Sequence, residues 1–270
     1  MRIINLASGS KANSTFLSFG ETRILIDVGL SEKKLKEELS SIGEKLENIN
    51  AVIITHEHID HIKGLKSLAK NTNIIFYLHQ KVVSEASCGD VEFKEGALRV
   101  FENSRFNIGD FEIEPIETSH DATRSVAFVV NVHKSRARAA FVTDLGVVSE
   151  NIKKTLKGVK IIFLESNYDE EMIDGGAYPY IVKQRIKSDK GHLSNSQSLE
   201  LAKYLYQNGT KCFVLSHISQ NNNTYEKAYV NYASYFESLG LKIGEDVKIK
   251  VSFQEKHGNN FLINEEYDGR

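Results

Sequence analysis

The most informative stretch of this chain is Thr55-His56-Glu57-His58-Ile59-Asp60-His61. It follows Ala51 to Ile54, an apolar run that is typical of a buried strand. Three imidazoles and an aspartate thus leave a strand end within six positions, a density that core packing does not require. Histidine and carboxylate side chains are the ligands that first-row divalent metal ions prefer. The stretch therefore predicts a metal site at the end of this strand.

Composition and charge narrow the class of protein. The chain has 270 residues, of which 41% are hydrophobic and 26% charged, as in an ordinary globular protein with an ample core. The formal net charge of -2 argues against a strongly basic nucleic-acid binder but is compatible with a local basic patch. Two isolated cysteines, no apolar run of membrane-spanning length and no signal-peptide pattern predict a soluble, cytoplasmic protein.

The order of apolar runs predicts two sheets. Helices and strands alternate near both ends of the chain, whereas strands follow one another closely between Leu98 and Thr143. Two sets of strands flanked by helices favour two sheets packed face to face between helical layers. One helix is expected from the histidine-rich turn to about Lys70. We expect a single domain over residues 1–264 and a polar tail at 265–270.

Four further acidic or histidine side chains follow β-rich apolar runs, namely Asp27, His120, Asp144 and His217. Strand ends on one edge of a sheet converge in space, and a metal ion needs more ligands than one turn supplies. The histidine-rich stretch therefore favours His120, Asp144 and His217 as ligands. Taken alone, each also fits an ordinary role as a hydrogen-bonded loop histidine or a turn-forming aspartate.

The His-x-His-x-Asp-His pattern at 56–61 resembles the signature of the metallo-β-lactamase superfamily. The resemblance extends over most of the chain because Asp27 before this pattern, and His120, Asp144 and His217 after it, also stand in the family's order. It implies an α/β protein with the αββα four-layer sandwich, which agrees with the two predicted sheets. Asp144 stands where the family has the residue that bridges two metal ions. An aspartate there, rather than a cysteine, resembles the branches that cleave phosphodiesters or thioesters and argues against a β-lactamase.

The resemblance also implies two divalent metal ions and their ligands. These are His56, His58 and His120 for one ion, and Asp60, His61 and His217 for the other. Asp144 would bridge the two ions, and Asp27 would orient a ligand histidine from behind. Because the donors are nitrogen and oxygen without sulfur, the set suits zinc or manganese.

Two downstream residues resemble the Glu/His pair of the RNA-processing and nuclease branches. Glu165 ends an apolar run, and His192 stands just before a predicted helix. Each has a simpler interpretation, as a salt-bridging glutamate and a loop or capping histidine. As a pair they favour catalysis, with Glu165 orienting His192 and His192 protonating the leaving oxygen. Asp60 would hold a metal ion and also orient the attacking hydroxide.

The stretches 7–14, 178–195 and 216–223 look closest to the YycJ-type (WalJ-like) bacterial metallohydrolases. That resemblance implies a dinuclear phosphodiesterase, a 5′-to-3′ exodeoxyribonuclease on DNA, with a metal-bridging hydroxide as nucleophile. One alternative is a small-molecule hydrolase on the same fold, either a cyclic phosphodiesterase or a glyoxalase II-like thioesterase. Another is a metal-binding sensor without turnover.

Candidates for phosphate contacts are less specific. Neutral candidates are Ser10, Asn13, Ser194, Asn195 and Asn222, all of which also fit ordinary turn chemistry. A basic run precedes His192 and consists of Lys183, Arg185, Lys187 and Lys190. This run is either a solvated helix face or a set of contacts to a nucleic-acid backbone.

Overall fold

Two mixed sheets carry the fold. In the computed structural model, which describes residues 1–133, 135–254, 257–258 and 260–263, each sheet has seven strands. The first sheet has the order β14-β1-β2-β3-β4-β5-β6, and its strands are β1 Arg2–Ala7, β2 Ser14–Phe19, β3 Thr22–Ile26, β4 Ala51–Ile53, β5 Ile75–His79, β6 Leu98–Phe101 and β14 Asn260–Leu262. The second has the order β13-β12-β11-β10-β9-β8-β7, with β7 Phe106–Ile108, β8 Phe111–Glu117, β9 Val126–Val132, β10 Arg138–Val142, β11 Ile161–Glu165, β12 Cys212–Ser216 and β13 Lys248–Val251.

Helices flank each sheet. Those around the first sheet are α1 Glu32–Ser41, α2 Ile59–Ile62, α3 Leu65–Asn71, α4 Gln80–Val83 and α5 Ala86–Gly89, with a 3₁₀ turn at Leu46–Asn48. Those in the second half are α6 Glu150–Leu156, α7 Glu170–Gly175, α8 Tyr180–Lys187, α9 Asn195–Gln207 and α10 Tyr225–Ser238. Among all the residues that the structure describes, no helix is long and apolar enough to cross a membrane. The predicted tail at 265–270 lies outside the described residues.

Strand sequences explain the layers. Both faces of the strands are apolar, so neighbouring residues of one strand enter different clusters, as Phe213 and Val214 do. One cluster lies between the sheets, and each sheet forms another with its own helices. Burying a large apolar side chain contributes about 1.5–3 kcal/mol relative to exposure. The three clusters therefore stabilise a four-layer sandwich, and the predicted fold is confirmed.

The helix predicted from the histidine-rich turn to Lys70 is wrong in one respect, because it is two helices. It breaks at Gly64, whose amide donates to the Val28 carbonyl at 2.8 Å instead of continuing the helix. A Cβ on Gly64 would lie 2.5 Å from the Leu30 carbonyl oxygen. The break thus packs against the loop after β3, a tertiary contact that helix periodicity does not reveal.

Candidate metal centre

Parallel strands bring the predicted ligands to one edge of the sandwich. Strands β3 and β4 are parallel neighbours in the first sheet, as are β10, β11 and β12 in the second. Asp27 follows β3, Asp144 follows β10 and His217 follows β12. Glu165 ends β11 and pairs in register with Ser216, so it lies beside His217. As expected from the sequence, side chains that follow neighbouring parallel strands therefore lie together at one edge of the sheets.

Backbone strain is concentrated at the same edge. Within the described residues, the non-glycine positions with positive φ are Asp27, Asp144 and His217, with φ of 60°, 57° and 53°. Such a conformation costs on the order of 1–3 kcal/mol per residue and persists only where surrounding contacts fix it. Here the Ser8 hydroxyl accepts from the His217 amide at 2.8 Å, and Glu165 accepts from the Asp144 amide at 3.3 Å. Strain held in place in this way indicates a functional site.

Among the described residues, the side chains form four overlapping groups of possible ligand atoms, each with its atoms within 4.8 Å of one another. Two of them are His56, His58 and His120, and Asp60, His61 and His217, and the other two both contain Asp144 and are His56, His61 and Asp144, and Asp144, Glu165, His192 and His217. Asp144 reaches the first two groups, at 3.3 Å from His61 Nε2 and 3.7 Å from His120 Nε2. This arrangement matches the ligand sets that the family resemblance implies.

Several possible ligand atoms at the centre make no hydrogen bond to the described residues. His56 Nε2, Asp144 Oδ2 and His217 Nε2 are buried and have no hydrogen-bond partner among the described residues. Buried polar atoms without a partner are uncommon because leaving them unpaired costs free energy. Nitrogen and carboxylate oxygen atoms that face one another in this way fit a divalent cation. The His/Asp cluster thus favours divalent metal binding.

Partners behind the cluster orient the rings. His61 Nδ1 lies 2.8 Å from Asp27 Oδ2, and Asp27 also accepts from the Thr55 amide at 2.8 Å. His120 Nδ1 lies 3.1 Å from the carbonyl oxygen of Gly191. A ring that donates its Nδ1 proton to a carboxylate or carbonyl leaves Nε2 unprotonated for a metal ion. Asp27 therefore occupies the orienting place expected of it.

Charge at the centre favours a bound cation. Burial raises the pKa of a carboxyl, but the rings of His217 and His61 outweigh burial and hold the Asp144 pKa well below its ordinary value. Burial lowers the pKa of His217, but Asp144, together with Asp60 and Glu165, outweighs it and raises that pKa to about 10. The carboxylates thus attract positive charge into a buried position, which is the electrostatic condition for a metal site.

Glu165 is fully buried and holds its neighbours in place. Its Oε1 lies 2.8 Å from His192 Nδ1 and 3.0 Å from His217 Nδ1, and its Oε2 accepts from the amides of Leu145 and Leu193. Burial raises its pKa, but His192 and His217 outweigh burial and lower the pKa to about 2. The ionised carboxylate does not reach solvent, so its geometry favours a role in positioning its neighbours. The His192 side chain is 20% exposed, and its hydrogen bond to Glu165 is made through Nδ1.

Two of the substrate-binding candidates lie on the loop after β1. Ser10 is exposed, as a substrate contact requires. Asn13 is buried, and its Nδ2 lies 3.1 Å from Asp60 Oδ2 and 3.0 Å from His61 Nε2. Asn13 therefore contacts two predicted metal ligands, of which Asp60 is partly exposed.

The other three candidates are buried, and their known contacts are internal. Ser194 caps α9 in a capping box with Gln197. The Asn195 Oδ1 accepts from the Ser166 hydroxyl at 2.7 Å. The Asn222 carbonyl accepts from the Asp169 amide at 2.8 Å. The sequence left turn chemistry and phosphate contact as alternatives for these residues, and burial favours structural roles for Ser194 and Asn195.

Sequence reasoning missed partners that act through the backbone or through neutral side chains. Besides the Gly191 carbonyl, these include Ser8 and Asn167, whose Nδ2 lies 3.1 Å from His217 Nδ1. Ser8 directly follows β1, which runs in the same direction as β3. Its place at a strand end is the sequence signal that could have identified Ser8, as it did the acidic and histidine residues. No sequence signal marks the Gly191 carbonyl.

Comparison with known proteins identifies the family. Residues 22–218 match the family model described as "Beta-lactamase superfamily domain". The Bacillus anthracis protein named exodeoxyribonuclease YycJ is 32% identical over 252 residues, covering 90% of this chain and 92% of that protein. The chain belongs to the metallo-β-lactamase superfamily. Within this superfamily, exodeoxyribonuclease WalJ of Streptococcus pneumoniae is 33% identical over 249 residues, covering 90% of this chain and 91% of that protein.

A solved structure from the same superfamily agrees with the fold. The metallo-β-lactamase fold protein YhfI from Bacillus subtilis superposes with a TM-score of 0.71 at 14% identity, covering 97% of this chain and all of that one (100%). The predictions of the superfamily, its sandwich fold and a hydrolytic enzyme are thereby confirmed. At that identity the superposition bears on the fold alone.

The cap at Ser194 gives a first testable prediction. Ser194→Ala is expected to lower the free energy of unfolding by about 1 kcal/mol, because the Gln197 amide of α9 loses its acceptor. Urea unfolding measures the change, and Ser194→Thr, which keeps the hydroxyl, is the matched control. A rise in KM, measured under conditions where the Ser194→Ala variant remains folded, would return Ser194 to substrate binding.

Proposed function

We propose that this chain is a dinuclear metal-dependent phosphodiesterase that degrades DNA from its 5′ ends. The observation that carries the proposal is the pair of three-donor groups joined by Asp144, with His192 held beside them. Two cations bridged by a carboxylate are typical of enzymes that act on phosphate esters. The relatives of high coverage are named exodeoxyribonucleases, which supports DNA as the polymer.

The chain's own residues divide the work of phosphodiester cleavage. Bound metal ions would supply a hydroxide nucleophile near neutral pH and neutralise charge on the phosphate. His192 would donate a proton from Nε2 to the leaving oxygen, because its Nδ1 is held by Glu165 at 2.8 Å. Proton donation of this kind contributes about 10²–10⁴-fold to a rate. Zinc and manganese both suit the donor set.

Asp60 fits a double role. Its Oδ2 lies 3.4 Å from His61 Nε2 and 3.7 Å from His217 Nε2, so it belongs to one donor group. Its side chain is 18% exposed, whereas that of Asp144 is 3% exposed. Asp60 is therefore better placed than Asp144 to orient an attacking water from the substrate side. This second role is part of the proposal.

The proposal extends to domain organisation and location. We propose that residues 1–264 act as one domain, because donors from both sheets enter the same cluster. A substrate of chromosomal DNA would place the enzyme in the cytoplasm of a bacterium. The alternative of a small-molecule hydrolase would use the same metal cluster with shorter substrates.

A labelled-DNA time course tests the function. Duplex DNA of defined length, labelled at either the 5′ or the 3′ end, is incubated with manganese, with zinc or with chelator, beside RNA of the same sequence. Stepwise shortening from 5′ ends of DNA that stops with chelator is the expected result. Cleavage of bis(p-nitrophenyl) phosphate or a thioester, with DNA left intact under both metals, would overturn the DNA proposal and retain the hydrolase.

A further inference from the structure

A basic cavity opens beside the predicted metal ligands. It has a volume of about 540 Å³, and His120, a member of one donor group, forms part of its wall. The cationic residues of the wall are Lys81, Arg124 and Lys190. They come from separate segments, after β5, between β8 and β9, and just before His192. The acidic wall residue is Glu117, which forms an ion pair with Arg124.

We propose that this cavity binds the sugar–phosphate backbone next to the scissile bond, with Lys81 and Lys190 contacting phosphates. The inference rests on the proposed function and names the residues that hold its polymer. A phosphodiester seated at His120 would carry its neighbouring phosphates directly into the cavity. The volume lies within the range of about 300–1,000 Å³ that is usual for ligand sites. It suits a short stretch of one strand.

Local charge supports a polyanion as the occupant. The whole chain has a formal net charge of -2, yet this wall carries three cationic residues against one paired carboxylate. In the part of the chain that the structure describes, neither Lys81 nor Lys190 forms an ion pair. Lysine side chains with available charge near a cleft attract phosphate and contribute most of the sequence-independent affinity for nucleic acid.

The basic run before His192 divides in a way that singles out Lys190. Lys183 donates to the Asp174 carbonyl, Lys187 pairs with the Asp174 carboxylate, and Arg185 pairs with Asp121. These three cations are used in contacts around α8, whereas Lys190 lines the cavity. The sequence left a solvated helix face and a phosphate contact as alternatives for the run. The structure assigns the second to Lys190 alone.

Arg124 adds a fixed donor to the same wall. Its guanidinium pairs with Glu117 and donates to Asn103 Oδ1 at 2.6 Å. Its Nε is buried and has no hydrogen-bond partner within the described ranges. Because the buried Nε does not reach solvent, Arg124 contributes fixed positive charge to the wall, beside the two exposed lysines.

Binding of single-stranded DNA in chelator tests the lysines without turnover. The variants are Lys81→Ala, Lys190→Ala, their double variant and Lys242→Ala, whose lysine is 74% exposed before β13 and outside the cavity wall. The probe is a fluorescein-labelled oligonucleotide titrated at several salt concentrations. Each cavity substitution is expected to reduce the salt slope by about 0.7 and to weaken binding about fivefold near 0.1 M salt. Lys242→Ala is expected to match the wild type.

Turnover gives a second readout. The loss of kcat/KM in the double variant is expected to be at least about tenfold larger on DNA than on bis(p-nitrophenyl) phosphate, because that small substrate has one phosphate and no neighbouring phosphates for the lysines to contact. A wild type that degrades DNA, with cavity variants indistinguishable from Lys242→Ala, would overturn the cavity proposal alone. A wild type that neither binds nor degrades DNA would overturn the proposed function, and this inference with it.

Discussion

Asp144→Asn is expected to lower phosphodiesterase turnover about a thousandfold and to release metal from the purified protein. Asp144 is 2% exposed and contacts rings from both donor groups. The substitution keeps the shape of the side chain but removes its charge and points an N–H group at neighbouring ring nitrogens. Removing one partner from a buried charge cluster costs about 3–5 kcal/mol, which corresponds to 10²–10⁴-fold in an equilibrium or a rate.

Two measurements check this expectation. Metal content after gel filtration is measured by mass spectrometry, and turnover is measured on bis(p-nitrophenyl) phosphate. The matched control is Asp174→Asn, which removes the same charge from a side chain that is 62% exposed. If Asp144→Asn keeps its metal and its rate, Asp144 does not join two ions, and the dinuclear proposal is wrong. A loss in both variants would indicate a general effect of charge.

The places of the candidate metal ligands in the fold were predictable from the sequence. Each residue follows a strand, and parallel strands end at a common edge, so Asp27, Asp144 and His217 could be placed without a structure. The positive φ values of these three residues were not predictable, because aspartate and histidine at a strand end also adopt extended backbone. Tertiary hydrogen bonds hold the strained conformation, and a single sequence does not reveal them.

What the sequence did not yield depends on contacts between distant segments. Gly64 breaks a helix because Leu30 packs against it. Lys81, in the helix after β5, reaches the cavity wall beside His120 and Arg124, which lie in the loop between β8 and β9. Ser194 has the same composition signal for a phosphate contact as for a helix cap, and only burial separates the two. Neutral and basic binding candidates therefore need the fold, whereas candidate metal ligands can be proposed from residue type and spacing.

Glu165→Gln and His192→Ala are expected to separate positioning from proton donation. Glu165 accepts from the amides of Asp144, Leu145 and Leu193 and holds two histidine rings. A glutamine has one acceptor oxygen, so buried N–H groups lose partners at about 1–3 kcal/mol each. Glu165→Gln is therefore expected to lower the free energy of unfolding by about 3 kcal/mol or more. His192→Ala removes one partly exposed ring and one partner of the buried Glu165, which keeps His217 and three amides, and is expected to cost about 1–2 kcal/mol.

Leaving-group dependence then tests the chemistry. A p-nitrophenolate departs without a proton, whereas the sugar oxygen of DNA needs one, so a general acid matters more for DNA. His192→Ala is expected to lose about 10²–10⁴-fold on DNA and at least tenfold less on bis(p-nitrophenyl) phosphate. Glu165→Gln is expected to lose activity on both, because it also displaces His217. Equal losses on the two substrates in His192→Ala would exclude His192 as the acid and leave it a role in binding. Since His192 Nδ1 is fixed by Glu165, such a result would place the proton donor on a water or on another group at the substrate side of the cluster.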